Sequence, residues 1–194
     1  MRPSLSPSQV TALLEHSATD VSAATGCSRC DLSHDGYSGW GRLDVAAALK
    51  ALSGPIPSPD RYESNDQAGD RAFALYGRSI DLKATLDYWD DNVDVYRTQL
   101  RRGQTISASV QGPAGTDTNL MLWRPGTQIV EAPDSSLGRQ VVIQAQRVTQ
   151  SVRVGAKEHL LHRARMSGWY YVEVKIATQG WGPYRLHIKK STLP

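Results

Sequence analysis

The sequence predicts a mainly β protein: an antiparallel, jelly-roll-like β-sandwich preceded by a short helical segment. Three observations predict it. From Tyr62 onward, apolar residues recur at every second position in run after run. Turns rich in Gly, Pro and Asp separate the runs, as in sandwiches built of short strands. No helical pattern stands between the runs, which argues against the crossovers that a parallel sheet needs.

The first element is a helix. Ser6-Pro7-Ser8-Gln9 reads as a capping box, with the Ser6 side chain accepting from the third helical N–H, Gln9 reaching back, and Pro7 suited to the first helical position. Val10, Leu13 and Leu14 follow with helical spacing and form an apolar stripe that must pack on something. Ser17-Ala18-Thr19-Asp20 ends the helix, and a Ser-, Gly- and Asp-rich loop runs to about residue 40. Asp44 is the N-cap of a second helix, with Val45, Ala48, Leu49 and Leu52 on one face and Gly54 as its stop. Two short helices have apolar faces but no sheet to cover, which points to a fragment of a larger body.

Pro55, Pro57 and Pro59 make a semi-rigid, extended linker. The domain boundaries expected are therefore 1–53 for the helical segment, 54–60 for the linker and 61–194 for the sandwich. Its strands begin with Val93, Val95 and then Tyr96, Thr98, Leu100, followed by the turn Arg101-Arg102-Gly103. Ile106, Ala108 and Val110 alternate with Thr105, Ser107 and Ser109, and Leu120 and Leu122 with Met121 and Trp123. Tyr170, Val172, Val174 and Ile176 face one side, and Tyr171, Glu173 and Lys175 the other. Tyr184, Leu186 and Ile188 close the series, about eight strands in all.

The chain has 194 residues, 40% hydrophobic and 21% charged, enough to bury a core without metals or cross-links. The net charge is +3 and the basic residues are scattered, so the sequence gives no sign of the concentrated positive face that nucleic acid requires. No apolar run approaches the ~20 residues that span a bilayer. Met1-Arg2-Pro3-Ser4 leads straight into the helix cap without a secretory h-region. Cys27 and Cys30 form a lone CxxC in a loop. A local disulfide, two inert thiols, a metal site extended by His34 and a redox pair all remain open there.

The first 53 residues resemble the end of a subtilisin-family (S8) serine protease catalytic domain. The resemblance rests on Pro3 to Val10, Leu13-Leu14, Ala18-Thr19-Asp20, Gly36-Tyr37-Ser38-Gly39-Trp40-Gly41-Arg42-Leu43-Asp44-Val45 and Ala46 to Leu49. Residues 61 to 190 resemble the pre-peptidase C-terminal domain, a β-sandwich appended to secreted proteases. That resemblance is carried by Tyr62-Glu63-Ser64-Asn65-Asp66, Asp94-Val95-Tyr96-Arg97, Leu100 with Gly103 to Ile106, Asn119 to Leu122, Gly168 to Val174 and Tyr184 to Leu186. Ser64 replaces the family's usual proline, Asn92 stands where an Asp is common, and Arg139 to Ala164 match loosely. The two resemblances together imply the C-terminal portion of a secreted subtilisin-like endopeptidase, whose partner is its own missing catalytic domain. The sandwich would stabilise, export or target the enzyme.

No catalytic residue is assigned. The family's Gly-Thr-Ser and His-Gly-Thr do not occur, and none of His16, His34, His159, His162 and His187 precedes a glycine. This chain alone is expected to be inactive. The strongest site is acidic: Glu63, Asn65 and Asp66 in one segment, and Asp87, Asp90, Asp91 and Asp94 in a loop before a strand. Hard oxygens from two segments suit Ca²⁺, and the resemblance implies calcium at Glu63, Asn65, Asp66, Asp91 and Asp94, with Asp90 as a spare. The competing reading is that these residues cap turns. Trp123, Trp169, Tyr170, Tyr171, Trp181 and Tyr184 read as packing residues; several on one exposed face would instead bind protein or polysaccharide polymers. The alternative function is thus a stand-alone extracellular binding module. A domain that recognises or inhibits a protease is a third, weaker reading.

Overall fold

A computed structural model describes residues 5–30, 34–55, 59–131 and 143–191. Pro3 and Ser4 of the helix start, residues 31–33 of the loop, 56–58 of the linker and 139–142 in the loosely matching stretch lie outside them. The chain divides into two compact units, Met1–Ser58 and Pro59–Pro194.

In the first unit, helix α1 spans Pro7–Ser17, and the capping box forms as the sequence predicts. Gln9 N donates to Ser6 Oγ at 3.2 Å, and Ser6 N to Gln9 Oε1 at 3.0 Å. Helix α2 spans Val45–Ala51, capped by Asp44 Oδ1 accepting from Ala47 N at 2.8 Å. The loop between the helices holds a 3-10 turn, Ala23–Thr25, and a backbone bridge between Thr19 and Arg42. Gly41, with φ +112°, lies against that bridge; a Cβ there would meet Thr19 O at 2.3 Å, so the close approach requires glycine. Ala12 and Ala48 are buried, whereas Val10, Leu14, Val45 and Leu49 remain exposed. The apolar stripes of both helices are largely uncovered.

The second unit contains nine strands among the described residues: β1 Phe73–Leu75, β2 Ser79–Asp87, β3 Val93–Leu100, β4 Thr105–Gln111, β5 Thr118–Trp123, β6 Arg147–Ser151, β7 Lys157–Arg163, β8 Gly168–Ile176 and β9 Trp181–Lys190. They form a five-stranded sheet, β1-β3-β8-β5-β6, and a four-stranded sheet, β2-β9-β4-β7. All neighbours are antiparallel except β1, a three-residue edge strand that runs parallel to β3. The period-two pattern could not reveal so short an element.

The inward faces interlock as the alternation requires. Tyr96, Leu100, Leu120, Leu122, Val172, Val174 and Ile176 from one sheet meet Leu82, Ala84, Ile106, Ala108, Leu160, Leu186 and Ile188 from the other. Each Leu, Ile or Val among them contributes about 1.5–3 kcal/mol by leaving water. The other face of the five-stranded sheet is covered too. Val93, Val95, Met121, Trp123 and Tyr171 lie under Ala68, Ala72, Val130 and Ile143. Gln67 stitches this cover together, its amide donating to Glu131 O and accepting from Val130 N, each at 3.0 Å. The four-stranded sheet leaves its outward side chains in solvent.

Candidate functional site

The site begins with Asp60. Its Oδ1 accepts from Tyr62 N at 2.8 Å and its Oδ2 from Thr85 N at 2.7 Å, which fastens the leading segment to β2. Tyr62 then inserts its ring edge-on between Phe73 and Tyr96, with centroids 4.9 and 5.6 Å away. Three residues later Asn65 O accepts from Val95 N at 2.7 Å, so Glu63 to Asp66 are laid along the start of β3. The second segment is a tight turn. Asp87 and Asp91 exchange both backbone hydrogen bonds, at 2.8 and 3.0 Å, and Asp87 Oδ1 accepts from Trp89 N at 3.1 Å.

These constraints bring one carboxylate oxygen from each of Glu63, Asp66 and Asp91 within 4.8 Å of one another. Asp66 is at the open side, Glu63 and Asp91 are half-buried, and Asn65 and Asp94 are wholly buried behind them. Glu63 Oε1, Asn65 Oδ1, Asp91 Oδ1 and Asp94 Oδ1 are buried with no hydrogen-bond partner among the described residues. Asp94 differs from expectation in being part of β3 rather than of the loop before it; its side chain points inward, where Oδ2 accepts from the hydroxyls of Tyr184 and Tyr96. Asp87 closes the turn, and Asp90 is exposed and outside the three-carboxylate group.

The electrostatics reflect burial and the crowding of like charge. Burial, and then the neighbouring Asp66 carboxylate, push Glu63 up to about 7. Burial, and then Asp94, Glu63 and Asp66, push Asp91 up to about 10. Asp94 is raised by burial, against the opposing hydrogen bond from Tyr184. The charge of a hard divalent cation would offset this repulsion, and its coordination shell would take the orphaned oxygens. The residues present fit such an ion. Sequence reasoning missed Asp60, Tyr96 and Tyr184, the residues that hold the site from behind. The available signal was Tyr184 at an inward position, because a buried phenol needs a hydroxyl partner.

Cys27 and Cys30 are joined in a disulfide. Their sulfurs are therefore not thiolate ligands, and the ring of His34 packs against Trp40 instead, 4.7 Å between centroids. Of the six aromatic residues singled out from sequence, Trp123, Tyr170, Tyr171 and Tyr184 are buried. Trp123 Nε1 donates to the buried Glu173 at 2.6 Å. Trp169 is partly covered by the Arg97 guanidinium, 5.3 Å from its centroid, and Trp181 is exposed.

Fold and site together define an antiparallel two-sheet sandwich with an acidic nest at its leading segment. No family model matches the chain, and no curated protein matches it. Solved structures that align with it include a periplasmic inhibitor of g-type lysozyme, PliG, from Aeromonas hydrophila, at 16% identity and TM-score 0.46, covering 62% of this chain and 96% of that one. They also include the pre-peptidase C-terminal domain of collagenase from Bacillus anthracis, at 20% identity and TM-score 0.44, covering 61% and 94%. PliG from Salmonella Typhimurium aligns at 14% identity and TM-score 0.38, covering 62% and 98%. At these identities and TM-scores none of them assigns a function to this chain. Among the described residues, no helix is long and apolar enough to cross a membrane.

Proposed function

We propose that the chain is an extracellular β-sandwich binding module whose leading segment is fixed by a calcium ion. The observation that carries this reading is the convergence of Glu63, Asp66 and Asp91, backed by orphaned oxygens of Asn65 and Asp94. The donor set is all oxygen. It suits Ca²⁺, which takes six to eight oxygens in loose geometry, better than Zn²⁺, which prefers nitrogen and sulfur. The ion would join the segment after Tyr62 to the turn before β3, and so hold the start of the module against its core. The Cys27–Cys30 disulfide supports an oxidising compartment. Calorimetric titration of the chelator-treated protein tests the reading. One calcium site, absent in Asp91→Asn and filled poorly by Mg²⁺, is expected; no heat and no change in melting temperature with calcium would overturn it.

A second reading, the tail of a subtilisin-like protease, is favoured by the uncovered stripe of Val10, Leu14, Val45 and Leu49. Such faces pack in a completed α/β body. Genomic sequence immediately upstream of Met1 tests it: Gly-Thr-Ser encoded in frame, or after one frameshift, supports the protease, and unrelated sequence rules it out.

A further inference from the structure

The four-stranded sheet gathers cations that the sequence scatters. Along β9, Arg185, His187 and Lys189 alternate with the buried Leu186 and Ile188, and so face solvent. Across the ladder they stand opposite Gln111, Ser109 and Ser107 of β4. Beyond β4, the outward residues of β7 are Lys157, His159, Leu161 and Arg163. On the far side of β9, β2 contributes Lys83 opposite Arg185 and Asp81 opposite His187. Five lysines and arginines (Lys83, Lys157, Arg163, Arg185 and Lys189) and two histidines therefore share one bare face with a single carboxylate. That carboxylate, Asp81, is already held by Arg185 through two contacts of 2.8 and 2.9 Å. The whole chain carries 22 basic against 19 acidic residues, so this segregation is local.

The relief of the face is specific as well. β4 presents Thr105, Ser107 and Ser109, short hydroxyl side chains, with Lys189 and His187 on the β9 side and Arg163, Leu161 and His159 on the β7 side, while Gln111 stands between Arg185 and Lys157 at one end. These short side chains make a shallow trough along β4 from Thr105 to Ser109, about 10 Å between its flanking strands and about 14 Å long at the spacings of a β-sheet. Its floor offers hydroxyls, among them Ser107 Oγ 3.0 Å from His159 Nε2, and its sides offer positive charge. One aromatic, Trp181, stands at the end of the β9 row, whereas successive base stacking requires several. We propose that this trough binds an extended anionic polysaccharide, its carboxylate or sulfate groups on the flanking cations and its hydroxyls on β4.

The proposal names the ligand class of the binding module and rests on that reading. Calcium uptake is measured separately by calorimetry, so the loss of either property alone is visible. Affinity electrophoresis of the full chain through gels containing chondroitin sulfate, neutral dextran or single-stranded DNA tests it. Retardation by chondroitin sulfate, abolished at high salt and absent with dextran, is expected. The double variant Lys157→Glu/Lys189→Glu should bind about tenfold more weakly or worse, because opposed charges on the trough walls reverse the attraction. An unchanged melting temperature shows that it folds, and Lys157→Ser/Lys189→Ser replaces it if it does not. No retardation by chondroitin sulfate, equal retardation by dextran, tighter binding to DNA, or undiminished binding by the folded variant would each overturn the proposal.

Discussion

The hydroxyls of Tyr96 and Tyr184 stand 2.6 Å apart across the sandwich, one from each sheet, and both reach the same oxygen of Asp94. The core of the module and its acidic nest are therefore one hydrogen-bonded system. Removing one hydroxyl leaves its partners buried with a bond unmade.

Tyr184→Phe should destabilise the protein by about 1–3 kcal/mol, the cost of unsatisfied buried polar groups. It should also weaken calcium binding, because Asp94 loses the donor that fixes its orientation. Chemical denaturation and calcium titration of the same variant check both effects; a variant as stable as the parent would show that the network carries no stability.

Without calcium, the protein should lose stability as pH rises. Glu63 and Asp91 have folded-state values near 7 and 10, above their ordinary range. A group raised on folding contributes its stability below its unfolded value, about 4 for a carboxylic acid. That contribution is lost as pH climbs through the folded values. Melting temperatures in chelator should fall from mildly acidic to mildly alkaline pH, and saturating calcium should remove the fall. Calcium affinity itself should rise with pH, since binding displaces protons. A flat chelator profile would contradict the crowding of these carboxylates.

Glu173 is fully buried, with Trp123 Nε1 on one oxygen and none of the described residues bonded to the other. Burial, then the Glu131 carboxylate, push it up to about 8, against the pull of Lys175 and Trp123. Its ionisation costs stability over the window from its unfolded value up to about 8. Glu173→Gln should therefore be close to neutral at pH 4 and stabilising by about 1–3 kcal/mol at pH 8. Denaturation at the two pH values checks the sign; a variant less stable at pH 8 would mean that the carboxylate is needed.

Register on the four-stranded sheet predicts a contrast between two leucines. Leu186 is fully buried, and Leu161 points outward on β7. Leu186→Ala should cost about 2–5 kcal/mol, while Leu161→Ala should stay within about 0.5 kcal/mol of the parent. Equal costs would indicate a slipped register.

The helices and most of the sandwich were legible because their signals are local. Ser6, Pro7 and Gln9 specify a cap within four residues, and Leu186 and Ile188 declare a face by alternation. The acidic segment was legible through residue type and order. What escaped depends on long-range geometry. Alternation placed Glu173 on the second face of its strand but could not show Val130 and Ile143 covering that face. Charge scatter along the chain hid the basic face, because Lys83, Arg185 and Lys157 fall into one row across the sheet, and Lys189 onto the same face, only through the ladder. Asp94 looked like a loop residue because its neighbours are acidic, whereas Tyr96 and Tyr184 make a strand interior tolerable for it.

The anchoring of Asp60 to Thr85 has a mechanical consequence. The chain is tied down beside one end of β2, while Lys190 leaves beside Arg78 at the other, its N–H bonded to Arg78 O at 2.8 Å. The six residue steps from Ser79 to Thr85 separate these points by about 20 Å along the strand. Tension between whatever is attached before Asp60 and after Lys190 therefore runs lengthwise along β2 and β9. Their nine paired positions are loaded together in shear rather than peeled apart one after another.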